Sequence, residues 1–304
     1  MKLKLPFSRS APLPAPAAPP PRMLRPLRVA MMSTVGVNVG DEFIREGVKS
    51  FLDEAIGDYE PLYVNKHDPV ESLKKHELDE MEVVGHKFRD ADVIVQAGTP
   101  VYWRLPHSQC YTAGWGGPLW DWEGGIFQLA PAKAFLNLGA GTCQPDENDL
   151  ATLIDDDKCV EFMRKAGNCA ALTTVRDPLA SAALKHAGVA HELMACPALH
   201  AARRAAGGKR QAASRNNLLA LNLMELAGHY QLKEQATSGG WRTVIERIVP
   251  ALRERYKLVF VAHDAAERQF MQGWCGPGET VFFSSEYRDY IEFYSRVGGI
   301  VANR

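Results

Sequence analysis

The side chains able to do chemistry in this chain stand just after short apolar runs. Asp41 and Glu42 follow the run Leu27 to Met32 by way of a segment holding Gly36, Asn38 and Gly40. Gly98 and Thr99 follow Asp92 to Gln96, Arg176 follows Ala171 to Val175, His263 and Asp264 follow Leu258 to Ala262, and Arg304 follows Gly299 to Ala302. A histidine or carboxylate in such a place can pass a proton. An arginine there presents a planar fork that grips a carboxylate or phosphate through two parallel bonds. Glycine-bearing turns leave bare N–H groups at the start of the next helix, where anions bind. Each position also has a structural use: Asp41 and Asp264 as helix caps, Arg176 as the ion-pair partner of Asp177.

These residues need elements to hold them, and the hydrophobic pattern supplies strands and helices in alternation. Leu27 to Met32 is apolar on both faces, as a strand inside a parallel sheet must be. The helix after it places Phe43, Ile44, Val48, Phe51, Leu52 and Ile56 on one stripe and ends at Gly57. Strands are expected at Pro61 to Asn65, Ala134 to Leu138, His191 to Ala195 and Leu218 to Leu223, with helices at Met81 to Phe88, Asp146 to Ala166 and Pro178 to His186. Past Leu223 come the helices Trp241 to Arg255, Ala265 to Gln272 and Glu286 to Ser295, the strand Thr280 to Phe283, and a buried strand Gly299 to Ala302. Such βα alternation predicts an α/β fold of two Rossmann-like doubly wound domains. The expected boundaries are 27–200 for the first and 217–304 for the second. The Ala-, Arg- and Gly-rich stretch 201–216 reads as a linker. Ligands of such folds bind at the carboxyl edges of the strands.

The composition limits the partners. Charged residues make up 23% and the formal net charge is -1, which argues against nucleic acid. No apolar run approaches the ~20 residues that span a bilayer. Residues 1–26 hold eight prolines and five basic residues without an acid, and read as a solvated, partly polyproline II tail. No signal-peptide core interrupts that tail, so a cytoplasmic protein is expected, with scope for a peripheral contact between the basic tail and a membrane or assembly machinery. The six cysteines show no zinc spacing and are expected to be reduced thiols.

From Gly98 to Phe127 the chain has no strand or helix pattern, yet it holds Trp103, Trp115, Trp120 and Trp122, four of the six tryptophans. A connection this long is usually functional. Indole faces suit the C–H faces of a sugar, and they serve equally as a loop's own small core.

Taken in order, Asn38-Val39-Gly40-Asp41-Glu42, Gln96-Ala97-Gly98-Thr99, Leu138-Gly139-Ala140-Gly141-Thr142, Thr174-Val175-Arg176-Asp177-Pro178 with Ser181 and Gly188-Val189, and Ile300-Val301-Ala302-Asn303-Arg304 resemble the polysaccharide pyruvyl transferase family. The resemblance runs over 28–304. It implies a GT-B-like pair of Rossmann-like domains, with phosphoenolpyruvate as co-substrate and a saccharide as acceptor. A pyruvyl group passes to sugar hydroxyls as a ketal, without nucleotide, metal or other cofactor. With that chemistry in view, His263, Asp41 and Asp264 are the catalytic candidates. Asn38, Gly40, Gly98, Thr99, Arg176 and Arg304 would bind the donor, and Trp103, Trp115, Trp120 and Trp122 the acceptor. The family continues its last motif as Arg-x-His-Gly, so the resemblance implies an incomplete second domain and a general acid beyond Arg304; a sheet edge left without its covering helix there would make the chain prone to oligomerise. Two other classes share these features: a GT-B-like nucleotide-sugar glycosyltransferase and a non-catalytic carbohydrate-binding protein.

Overall fold

The computed structural model describes residues 25–33, 39–65, 87–104, 120, 125–142, 144, 149–205, 216–224 and 238–302. Six parallel strands form the first sheet in the order β2-β1-β3-β4-β5-β6. They are β1 (Leu27–Ser33), β2 (Tyr59–Asn65), β3 (Val93–Ala97), β4 (Ala134–Ala140), β5 (Leu172–Val175) and β6 (Glu192–Leu193). Successive residues of β1 enter different cores. Val29 and Met31 pack with Val95, Ala97 and Leu138, whereas Ala30 and Met32 pack with Ile94, Phe135 and Ala140. Both faces are therefore covered, and this is why the strand runs are apolar without alternation.

A second parallel sheet has the order β10-β7-β8-β9, built from β7 (Leu218–Asn222), β8 (Lys257–Val261), β9 (Val281–Phe282) and β10 (Gly299–Ala302). Leu219, Leu221, Leu258 and Phe260 fill one core, and Ala220, Val259 and Val261 the other. The fold is α/β with two Rossmann-like, doubly wound sheets. β10 is an edge strand that pairs with β7, and Ile300 and Val301 on it are 50% and 40% exposed. The expectation of a buried strand there is thereby corrected: an apolar sequence at an edge keeps only one neighbour.

Helix α1 (Val39–Ala55) joins the two sheets. Its Val48 and Leu52 lie in the core of the first sheet, while Val39 and Phe43 pack with Val261 and Tyr290 of the second. A further part of α1 is covered by the segment after β6. Glu46, 3% exposed, accepts bonds from Lys49 Nζ at 3.0 Å and from Arg204 Nη1 at 2.7 Å. Arg204 belongs to α6 (Ala201–Ala205), which follows the 3-10 turn Pro197–His200. The stretch expected as a linker thus opens with a helix laid on α1, and the rest of it, 206–215, lies outside the described residues.

The remaining helices are α2 (Ile126–Leu129), α3 (Leu150–Ile154), α4 (Asp157–Cys169), α5 (Pro178–His186), α7 (Ser238–Arg253), α8 (Ala265–Gln272) and α9 (Tyr287–Arg296). The single helix expected over Asp146 to Ala166 is two, because two aspartates each start one. Asp149 accepts from Thr152 N and Asp156 from Lys158 N, satisfying donors that a continuous helix would have used itself. Of the helix expected at Met81 to Phe88, only residues 87 and 88 are described, and they are helical, as are 89 and 90 after them. Arg25, assigned to the solvated tail, forms a two-bond fork with Asp92 at 2.8 and 2.9 Å, while residues 1–24 lie outside the description. The cysteine expectation also needs correcting, since Cys159 is disulfide-bonded to a partner outside the described residues; Cys169, Cys196 and Cys275 are free thiols. Among the described residues no helix is long and apolar enough to cross a membrane.

Candidate functional site

The order β2-β1-β3 in the first sheet places a topological switch between β1 and β3, where α/β sheets open a crevice at their carboxyl edge. Two chain segments border it: the first turn of α1 and the loop Gly98-Thr99. Gly98 has φ +65°, and a side chain there would place its Cβ 1.9 Å from Ile44 Cγ2 on α1. Thr99 also adopts φ 74°, the only non-glycine residue to do so among the described residues, and is 1% exposed. A left-handed threonine is strained by roughly 1–2 kcal/mol, so its surroundings must hold it. Gln96 does so from within β3, donating to Gly98 O at 2.7 Å and to Thr99 Oγ1 at 3.1 Å. Gln96, near the end of β3, is thus a brace for the turn.

The brace extends to the next loop. Gly141 N donates to Thr99 O at 3.1 Å, and Gly141 O accepts from Val101 N and Tyr102 N. Against Gly141 lies the side chain of Arg176, the first residue after β5. A Cβ on Gly141 would stand 2.5 Å from Arg176 Nε. Asp177 does not pair with that arginine. One of its carboxylate oxygens accepts from Thr142 N, and the other from Thr142 Oγ1 and from Ala180 N, which caps α5. Among the described residues the Arg176 guanidinium has no hydrogen bond and no ion pair. It is partly exposed, at a carboxyl edge. The structure therefore decides between the two sequence uses of this pair in favour of an aspartate spent on the backbone and an arginine left over.

Of the residues expected at the α1 end of the crevice, Asp41 is the third residue of the helix and not its cap, because α1 begins at Val39. It is 5% exposed, and its neighbour Gly40 is exposed. Asn38 lies outside the described residues.

At the carboxyl edge of the second sheet, side chains take the place of glycine turns. His263, directly after Ala262, donates its backbone N–H to Glu267 Oε2 at 2.8 Å, and its Nε2 lies 2.9 Å from Tyr294 Oη on α9. The same Glu267 oxygen accepts from Asn222 Nδ2 at 3.0 Å and lies 3.7 Å from His263 Nδ1. Asn222 ends β7, is 1% exposed, and donates also to Val261 O at 2.8 Å. Its Oδ1 has no partner among the described residues. Burial raises the pKa of the Tyr294 phenol well above the usual tyrosine value, with Tyr290 and the Glu267 carboxylate adding to the rise. It is a phenol at every physiological pH. Asp264 caps α8 by accepting from Glu267 N at 2.8 Å, its structural use. Arg304 lies outside the described residues.

No protein-family model matches the chain. No curated protein matches it either. Among solved structures it is similar to a protein assigned as a UDP-N-acetylglucosamine 2-epimerase from Listeria monocytogenes. The two are 13% identical at a TM-score of 0.49, over 92% of this chain and 74% of that one. It is also similar to a sugar transporter from Clostridium phytofermentans, with 11% identity and a TM-score of 0.24, over 89% and 92%.

The two edges face a common element. Phe43 of α1 meets the ring of Tyr290 edge-on at 6.4 Å, and Tyr290 in turn lies 5.4 Å from the His263 ring. Next to Phe43, Ile44 packs beneath Gly98. Beside this joint runs a groove of about 360 Å³ between the sheets, lined by Phe43, Leu199, Ile291, Tyr294 and Ser295 among others. The described tryptophans are not among its lining residues. Trp103 and Trp120 are 2% and 3% exposed, and Trp120 sits in a cage of Phe127, Phe135 and Phe162 with ring centroids 5.3 to 5.5 Å away. Both are buried, Trp120 in the core of the first sheet, and offer no platform, while Trp115 and Trp122 lie outside the described residues. Asn222, Glu267 and Tyr294 escape a sequence reading because they come from three elements. The only signal for them is that Glu267 stands four residues after His263, on the helix His263 precedes.

Proposed function

We propose that the chain is a polysaccharide pyruvyl transferase-like protein. It binds phosphoenolpyruvate at the carboxyl edge of the first sheet and passes the pyruvyl unit to hydroxyls of a saccharide. The observation that carries this reading is the Arg176 guanidinium, laid over Gly141 without a partner among the described residues. A fork left unpaired at a carboxyl edge suits a ligand with a carboxylate or a phosphate, and phosphoenolpyruvate has both. The family resemblance of the motifs around Arg176, Gly98 and Gly40 supports the same donor.

In that chemistry a proton is delivered to the methylene carbon of the donor while a sugar oxygen attacks the adjacent carbon. A second sugar oxygen then displaces phosphate, which closes the ketal. His263 is the residue in our reading that takes up the proton of the attacking sugar hydroxyl, since its Nε2 lies 2.9 Å from Tyr294 Oη and Glu267 stands behind its other nitrogen; the proton for the methylene carbon comes from a separate acid. Proton transfer of this kind contributes about 10²- to 10⁴-fold to a rate.

Thermal unfolding with phosphoenolpyruvate tests the reading. A ligand at a hundred times its dissociation constant adds about 2.7 kcal/mol, and Arg176→Lys is expected to abolish most of that gain while leaving the unliganded melting temperature unchanged, because lysine keeps the charge and loses the fork. Stabilisation by UDP in place of phosphoenolpyruvate would transfer the chain to the glycosyltransferase class. Stabilisation by neither would remove the donor site.

A further inference from the structure

The groove beside α1 meets the second-sheet edge at Tyr294. Tyr294 lines the groove, and its hydroxyl lies 2.9 Å from His263 Nε2. Among the described residues that line it, Phe43, Leu199, Ala202, Ile291, Tyr294 and Ser295 included, no side chain is charged. Such a wall suits a neutral ligand with an apolar face and hydroxyls, and it disfavours a phosphate or carboxylate, which would lose its hydration without a countercharge. The ring C–H face of a saccharide against Phe43, with a hydroxyl toward Tyr294, meets both conditions. In the tryptophan loop, the alternative place for a sugar, Trp103 and Trp120 are buried.

We propose that this groove is the saccharide site and that Tyr294 is a catalytic residue in it, carrying the proton of a bound sugar hydroxyl to His263. The inference rests on the transferase reading for its chemistry, and on the groove alone for its ligand. In the step, the O–H bond of the sugar breaks as its proton moves to Tyr294 Oη. The phenol proton passes at the same time to His263 Nε2. Tyr294 ends unchanged, His263 becomes an imidazolium near the Glu267 carboxylate, and the freed oxygen electron pair forms the bond to the donor carbon. A phenol whose pKa burial holds above its ordinary value cannot wait as a phenolate, so it serves here as a relay and not as a base of its own.

The test needs no donor. A panel of methyl glycosides (glucoside, galactoside, mannoside) is titrated into the full chain, with saturation-transfer NMR reporting binding and the imidazole nitrogens of His263 reporting the relay. At least one glycoside is expected to bind and to move the His263 Nε2 resonance. Ala202→Trp, which fills the groove from an exposed position, should remove both effects. Tyr294→Phe, which keeps the ring, should keep binding and remove the movement of Nε2. Absence of binding by every glycoside, or binding untouched by Ala202→Trp, overturns the site. A movement of Nε2 that survives Tyr294→Phe overturns the relay. The donor reading fails separately: phosphoenolpyruvate without a thermal shift, alongside a glycoside that binds the groove, would remove the transferase and leave the saccharide site.

Discussion

The two carboxyl edges of this molecule are built from different materials. The edge of the first sheet is backbone: Gly98 and Thr99 in left-handed conformations, Gly141 without a side chain, and a glutamine tying the turn to itself. The edge of the second sheet is side chain: Asn222, His263, Glu267 and Tyr294, joined atom to atom across three elements. A backbone edge fixes a shape into which one mobile cation can be laid. A side-chain edge fixes a chain of proton donors and acceptors. The difference suggests that the first holds an anion and the second moves a proton, and the contrast can be broken at single residues.

The largest effect is expected where backbone geometry leaves no slack. Gly98→Ala puts an L side chain at φ +65° and its Cβ 1.9 Å from Ile44 Cγ2. The strained conformation and the overpacking together should cost about 3 kcal/mol. Denaturant unfolding measures this, and in the Ile44→Ala background the added cost should fall, because the clashing carbon is gone. Strict additivity of the two changes would mean that the turn, and not the contact, sets the cost.

A smaller loss should follow at the other edge. Glu267→Ala leaves the His263 N–H without its acceptor, but Asn222 Nδ2 keeps its bond to Val261 O. One orphaned buried donor and the lost charged bonds amount to about 2 kcal/mol. Glu267→Gln, which retains a side-chain oxygen, should recover part of that in the same measurement. If both variants unfold like the wild type, the edge is not held by its side chains and the contrast fails.

Function and stability should separate at Gly141. Gly141→Ala places a Cβ 2.5 Å from Arg176 Nε and 2.7 Å from Asp177 Oδ2. Arg176 is a long side chain that can swing away, so the expected stability loss is only about 1 kcal/mol. The stabilisation by phosphoenolpyruvate should vanish with it. A ligand effect that persists in Gly141→Ala would show that Arg176 does not need its place over the glycine.

The same contrast explains what the sequence disclosed. Strand runs such as Leu27 to Met32 and Leu258 to Ala262 are legible because burial on both faces demands unbroken apolar residues. Glycine turns are legible because few other residues permit them. Arg176 stood out by following a strand, although its freedom from Asp177 depends on Thr142, which is distant in sequence. Helix boundaries were less visible: Asp149 and Asp156 each start a helix where a single apolar period runs through both. The start of α1 at Val39 turned Asp41 from a cap into a residue of the first turn. Tyr294 could not be found at all, since nothing in a helix sequence says which hydroxyl meets a histidine 31 positions earlier.

The amino edges, unlike the carboxyl edges, are closed in the same way in both units. Arg25 grips Asp92 just before β3, and Arg253 grips Glu279 just before β9, with Nε and Nη2 donating to the two carboxylate oxygens at 2.8 and 2.6 Å. The Arg253 bonds hold the Glu279 carboxyl below the usual glutamate range, partly opposed by burial and helped by Gly276 N. The Arg25 bonds, with Arg28 N, do the same for Asp92. A carboxylate lowered in the folded state adds stability above its unfolded value and loses it as pH falls through the folded one. The stability difference between wild type and Glu279→Gln should therefore be present at neutral pH and shrink as pH falls below about 4. Its size should stay under about 1 kcal/mol, because the Arg253 side chain is 34% exposed and water screens the pair. Asp92→Asn should show the same acid limb. A difference that does not change with pH would assign the Glu279 fork to neutral hydrogen bonding, and a limb at only one of the two sites would end the likeness of the amino edges.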